Sequence, residues 1–253
     1  MAADLLAFTE HGAGPPLLLV HGLMISGEMF APVLDHFAAR HRVIVPDLRG
    51  HGRSRHLPPP YTVERMAGDL ADLLDHLGID TVDALGYSHG GAVAQQFVLD
   101  HPGRCRRLVL ACTYAFNMAT LREQVEGRIA PALVRALGMP RFARLVMALG
   151  VKGLSPERAA WVASLIGSQD TSLMIAAWQA AMAFDGRARL REIACPTLVL
   201  AGAADKGVPM HHARQLHEGI ARSRLVVVDG ADHAMIWADP DRFAREVDAF
   251  LEG

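Results

Sequence analysis

Cysteine is scarce in this chain. Its 253 residues include three, Cys105, Cys112 and Cys195, an odd number at spacings that match neither a disulfide framework nor a cysteine metal site. No apolar run approaches the roughly 18 residues of a membrane span. Charge of one sign is nowhere concentrated: 25 basic residues oppose 27 acidic ones, for a formal net charge of -2. Neither a bilayer nor a nucleic acid is therefore indicated as a partner. The opening "MAADLLAFTE" carries acids where a secretory leader has its basic segment. These absences predict a soluble, reduced, cytoplasmic protein.

Hydrophobic residues are plentiful, at 51%, and they are organised. Short apolar runs, "PLLLV" (16–20), "RVIVP" (42–46), "TVDAL" (81–85), "RLVLA" (107–111), "TLVLA" (197–201) and "RLVVV" (224–228), have the length and continuity of strands covered on both faces. An earlier strand is expected near "LLAFT" (5–9). Helical periodicity fills the gaps, as over 63–77, 209–221 and 240–251, the last two opening at proline. The alternation predicts an α/β fold, a mostly parallel sheet of about seven strands wrapped by helices. Between residues 117 and 186 no strand pattern occurs. That stretch reads as an all-helical insertion, rich in methionine, that splits the body into 1–116 and 187–253.

Chemistry is first suggested by "GYSHGG" (86–91), which lies between an apolar strand run and the helical "AVAQQFVL". A tight strand-to-helix turn needs neighbours without side chains, and Gly86, Gly90 and Gly91 supply them. Ser88 is then exposed at a helix N-terminus, where its oxygen can attack. Three further features agree. "HG" (21–22) follows a strand end, so the backbone N–H of Leu23 can join that of His89 in holding an oxyanion. Asp205 follows "TLVLA", and His233 follows "RLVVV". Groups at the carboxyl ends of parallel strands gather in one place, so Ser88, Asp205 and His233 are expected to converge as nucleophile, orienting acid and base. Asp229 and Asp232 compete with Asp205 by proximity, but a neighbouring strand end places an acid better against the far imidazole nitrogen.

With these motifs the chain resembles the α/β-hydrolase superfamily over nearly all its length, the helical insertion matching that family's cap and the order Ser88, Asp205, His233 matching its triad. "DLRGHGRS" (47–54) is similar to a turn of the family in which Asp47 and Arg49 brace loops. Two departures occur: His89 stands where Met, Leu or Gln is commoner, and "ADH" replaces Gly-His before the histidine. The resemblance implies a serine hydrolase without cofactor or metal. A serine nucleophile argues against dehalogenase and epoxide hydrolase relatives, and "AMIW" after His233 lacks the tryptophan of carbon–carbon bond hydrolases.

The substrate expected is a small-molecule carboxylic ester or lactone of modest size and apolar character. Met24, Met29 and Phe30 beyond the first strand loop, Met235 and Trp237 beyond His233, and Trp178 and Met182 of the insertion are the candidate pocket residues. A thioesterase or perhydrolase would use the same acyl-serine; a non-catalytic receptor would have lost a triad member. "HHARQLH" (211–217) is expected to be a solvated helix face, since no third ligand accompanies its histidines. No sequence signal fixes the oligomeric state.

Overall fold

A computed structural model describes residues 5–150 and 153–253. In chain order the elements are β1 (Phe8–His11), β2 (Pro16–Val20), α1 (Ala31–Ala38), β3 (Arg42–Pro46), α2 (Val63–His76), β4 (Val82–Tyr87), α3 (His89–Asp100), β5 (Cys105–Ala111), then four consecutive helices, α4 (Leu121–Leu137), α5 (Met139–Gly150), α6 (Pro156–Gly167) and α7 (Thr171–Ala183). They are followed by β6 (Thr197–Gly202), α8 (Met210–Gly219), β7 (Ser223–Val228), α9 (Met235–Ala238) and α10 (Pro240–Leu251).

The seven strands form one sheet in the order β1-β3-β2-β4-β5-β6-β7. Only β1 runs antiparallel, against β3. Because successive side chains of a strand point to opposite faces, "PLLLV" divides its residues between two cores. Leu18 and Val20 join the helices α2 and α3 on one face; Leu17 and Leu19 join α1 and α10 on the other. All four are fully buried, each worth about 1.5–3 kcal/mol of apolar transfer. This is why the inner strands read as unbroken apolar runs.

Two strands depart from the sequence expectation, and both lie at the edges. The first covers "FTEH" instead of "LLAFT", because its register is set by pairing Phe8 to Pro46 and His11 to Val43; Leu6 is buried just outside it. The last, "SRLVVV", is not covered on both faces. Having only β6 as neighbour, it leaves Val227 40% exposed.

The strand order reverses between β2 and β4, since the chain builds outward through β3 and β1 on one side and through β5, β6 and β7 on the other. The two loops leaving β2 and β4 therefore diverge, and a crevice opens beyond their carboxyl ends. The helical insertion lies over it. An isolated antiparallel bridge, Phe116 to Asp185, brings together the strands of chain that enter and leave the insertion. Inside, Val134, Met139, Phe142, Met174 and Ile175 pack with Met24 from the loop after β2.

Candidate active site

Ser88 occupies a backbone conformation that L-residues seldom take, φ 53° and ψ -121°. The turn is forced by close packing at its glycines. A Cβ on Gly86 would lie 2.6 Å from Gly91 Cα, and one on Gly90 would lie 2.5 Å from the carbonyl oxygen of His21. Strand β4 can therefore give way to α3 within one residue, as the glycine spacing predicts. Ser88 N–H donates to Ala111 O at 2.9 Å, and its own carbonyl accepts from Gly91 N–H and from the Thr113 hydroxyl. The unusual conformation is held from both sides.

Of the three aspartates near the histidine, Asp205 is the one bonded to the imidazole: its Oδ2 lies 2.8 Å from His233 Nδ1. Oδ1 accepts from the Gly207 and Val208 N–H groups, each at 2.8 Å. Burial favours the protonated carboxyl, yet the His233 ring and the two amides outweigh it and hold Asp205 below its ordinary range. For His233 burial favours the neutral ring, but Asp205 and Asp232 together raise its pKa. Asp232 instead accepts from Ala234 N–H at 2.8 Å, shaping the loop. Asp229 is exposed, and its carbonyl accepts from Arg242.

A cavity of about 310 Å³ is lined by both Ser88 and His233, and also by Leu23 and His89. Met24, Met29, Trp178, Met182 and Trp237 line it. Two candidates do not. Met235 is 3% exposed and packs in the core under the sheet with Phe243 and Val247, opening only toward a separate surface depression beside Asp229. Phe30 is wholly buried in that same core. The cavity is lined instead by Met29, next to Phe30, and by His233 and Trp237, each two residues from Met235.

Several lining residues carried no sequence signal. Phe142, Val146 and Met147 come from α5, Ile166 from α6, and Tyr114 and Asn117 from the segment after β5. Tyr87, the residue before Ser88, also lines the cavity, and its hydroxyl donates to His233 O at 2.7 Å. Beneath it, burial and the nearby Asp205 carboxylate push the Cys112 thiol well above its ordinary value, so that it stays neutral.

The histidines near Ser88 are structural. His21 Nε2 accepts from Leu48 N–H at 2.8 Å, so Nδ1 carries the proton toward Gly22 O at 2.7 Å. Its ring thus fixes the loop that carries Leu23. His89 is 1% exposed, with Nδ1 3.3 Å from the Tyr114 hydroxyl, and burial followed by the His21 charge pushes it down to about 3. It is neutral at any working pH. Asp47 and Arg49 brace loops, as expected: Asp47 accepts from Gly27 N–H and from Arg53, while Arg49 holds Asp69 through two bonds of 2.7 Å and donates to Pro58 O.

"HHARQLH" is a solvated face only in part, at Arg214 and His217. His212 is fully buried, and with His211 it meets Glu123 of α4, at 2.9 and 3.0 Å. The helical insertion covers this part of α8, a contact between residues 88 apart in sequence that no local pattern reveals.

Comparison with known proteins agrees with the topology. A family model for the alpha/beta hydrolase fold matches residues 15–150, and one described as TAP-like protein matches residues 166–253. RutD of Azorhizobium caulinodans, provisionally named a carbamate hydrolase, is 34% identical over 245 residues, 94% of this chain and 91% of its own. A thermophilic esterase from Thermogutta terrifontis superposes with a TM-score of 0.88 at 30% identity, covering 98% of this chain and 93% of the esterase. The enol-lactonase from Burkholderia xenovorans LB400 gives 0.84 at 26% identity, covering 98% and 96%. With its reversed sheet, its strand-to-helix turn at Ser88 and these matches across its length, the chain belongs to the alpha/beta hydrolase family.

Proposed function

We propose that this protein is a serine hydrolase of neutral, apolar carboxylic esters or lactones, with Ser88, His233 and Asp205 as its catalytic triad. One observation carries the reading. Ser88 and His233 line the same cavity while Nδ1 of His233 is occupied by a buried carboxylate, which leaves Nε2 as the nitrogen for the serine proton. In the proposed cycle His233 takes that proton as Ser88 Oγ bonds to the acyl carbon. The developing oxyanion is held by the main-chain N–H groups of Leu23 and His89. His233 then returns the proton to the leaving alkoxide, and water activated by the same ring releases the acid. Asp205 keeps the imidazole in the tautomer with its proton on Nδ1 and stabilises the imidazolium.

The substrate class follows from the lining. Methionine, phenylalanine, isoleucine, valine and tryptophan side chains dominate, and none of the described lining residues is Lys or Arg. Among these residues a substrate carboxylate would find no lysine or arginine to offset its desolvation. At about 310 Å³ the cavity lies at the small end of ligand sites, about 300–1,000 Å³, which suits a medium-length acyl or alkyl group.

A second reading, carbamate hydrolysis, is favoured by the likeness to RutD; the same machinery would serve a neutral carbamate ester. A fluorophosphonate probe tests the mechanism: stoichiometric labelling that disappears in Ser88→Ala supports it, and resistance of the folded protein to labelling defeats it. A panel of neutral esters, lactones, carbamate esters and carboxylated lactones tests the substrate class. The highest kcat/KM is expected on neutral apolar esters or lactones, and a preference for the carboxylated compounds would reject that assignment.

A further inference from the structure

We propose that Glu123, His211 and His212 form a binding site for one divalent transition-metal cation, zinc foremost, that ties the helical insertion to the α/β body.

The three donors come from two parts of the chain: Glu123 from the first turn of α4, and the histidines from the first turn of α8. Glu123 is held rigidly. In a capping box its Oε2 accepts from Thr120 N–H at 2.8 Å while Thr120 Oγ1 accepts from Glu123 N–H at 3.2 Å. That fixes the carboxylate plane and presents Oε1 to both rings, with His212 Nε2 at 2.9 Å and His211 Nε2 at 3.0 Å. Side chains of adjacent helical residues ordinarily diverge. Here the two rings converge, with centroids 4.0 Å apart, and the three donor atoms all lie within 4.8 Å of one another.

Hydrogen bonding alone satisfies this arrangement poorly. His212 meets Oε1 in hydrogen-bond geometry, but His211 Nε2, though close to the oxygen, makes no hydrogen bond and is sealed from solvent. His212 Nδ1 is likewise buried without a partner. A buried ring nitrogen aimed at an oxygen already taken is costly. A cation resolves the competition for Oε1, because it accepts a lone pair from the Nε2 atom of each ring and from the carboxylate at once. Tetrahedral zinc bonded at about 2.0–2.1 Å spaces its donors by roughly 3.3 Å, a few tenths of an ångström beyond the distances found. Two imidazoles with one carboxylate suit a borderline cation more than calcium or magnesium, which prefer oxygen.

None of the three donors lines the Ser88 cavity, but His212 packs edge-on against Tyr114 of its wall, with ring centroids 6.1 Å apart. Its consequence is mechanical: α4 packs on α7, which carries Trp178 and Met182 of the cavity wall, so a metal clip at the start of α4 would steady that wall.

The test uses the full chain, stripped with a chelator and titrated with Zn²⁺, followed by calorimetry and thermal melting, with Co²⁺ as a spectroscopic probe. One equivalent per chain should bind and raise Tm. Glu123→Gln and His211→Ala should each weaken binding at least about tenfold, abolish the rise in Tm and remove the visible cobalt bands. His217→Ala, on an exposed part of the same helix, should change none of these. His211 is partly exposed, so its variant is expected to fold; a normal circular dichroism spectrum and retained fluorophosphonate labelling check this. Absence of stoichiometric binding, or binding that survives both ligand variants, would overturn the proposal.

Discussion

Tyr87 and His233 are joined by a hydrogen bond from the tyrosine hydroxyl to the histidine main-chain oxygen, 2.7 Å long, so the residue preceding the nucleophile holds the loop that carries the proposed base. The rings also meet edge to face, with centroids 5.8 Å apart. Tyr87→Phe keeps the ring and deletes the bond. It should cost about 1 kcal/mol of stability and lower kcat several-fold while KM changes little, because the loop and not the cavity is disturbed. Urea unfolding and steady-state kinetics on one ester measure both effects; a change confined to KM would place Tyr87 in substrate binding instead.

Asp205→Asn should fold and lose up to about 10⁴ in kcat, the scale on which an amide in this position costs serine proteases. Asp232 accepts from the Ala234 N–H in a local turn while Asp205 bonds to the imidazole, and Asp229 faces solvent, so the asparagine variants of Asp232 and Asp229 should lose about tenfold or less. A nearly normal Asp205→Asn beside an inactive Asp232→Asn would reassign the acid.

The pH dependence follows from the same pair. The pKa of His233 is raised above its ordinary 6.5, so kcat/KM should fall in acid with a midpoint above that value. In Asp205→Asn the contribution of the carboxylate is gone while burial remains, and the residual activity should have its midpoint shifted down. The linkage to stability has opposite signs for the two groups. The raised histidine contributes stability below about pH 6.5 that is lost as pH rises through its folded pKa. The depressed Asp205 contributes stability above its ordinary 3.8 that is lost as pH falls through its folded pKa. Kinetic profiles from pH 5 to 9 test the histidine, and urea midpoints from about pH 2 to 9 test both linkages.

Strain at Ser88 can be measured by substitution. Alanine keeps the cost of a positive φ, whereas glycine relieves about 1–3 kcal/mol of it against about 0.5–1 kcal/mol of added chain entropy. Ser88→Gly should therefore exceed Ser88→Ala by about 1 kcal/mol, or a few degrees in Tm, with neither variant hydrolysing substrate. Equal stabilities would mean that the turn is relaxed.

Within the insertion, Trp178 lines the cavity and donates its indole N–H to Gly127 O at 3.0 Å, while Met182 lines the cavity near Asn117. Met182→Ala and Trp178→Ala should reduce activity on longer acyl esters more than on acetyl esters. Uniform losses would indicate packing alone, and thermal melts would register it.

Legibility in the sequence followed the range of the interactions involved. The inner strands were plain because burial on both faces makes them continuously apolar, and the four helices of the insertion were plain from their periodicity. At the edges the same rule misled: "RLVVV" looks doubly covered, yet it has a neighbour on one side only. Ser88 and its glycines were legible because the constraint is local, whereas the contribution of Tyr87 depends on a residue 146 positions away. Glu123 meeting His212 and α5 lining the cavity likewise arise only once the insertion folds over the body. Met235 was misplaced for a related reason: following His233 in sequence says nothing of which side of the turn a side chain takes.

The insertion also imposes an order on synthesis. Strand β5 ends at Ala111 and its partner β6 begins at Thr197, so the two are made far apart in time. At translation rates of about 5–20 residues per second, roughly 4–17 s pass between them. Throughout that interval the edge of β5 that is interior in the finished sheet stands unpaired, an apolar "LVLA" open to any extended chain. A chaperone that delays collapse, or early packing of the four helices across that edge, would protect the newborn protein, and slowing the ribosome within 112–196 would lower its soluble yield.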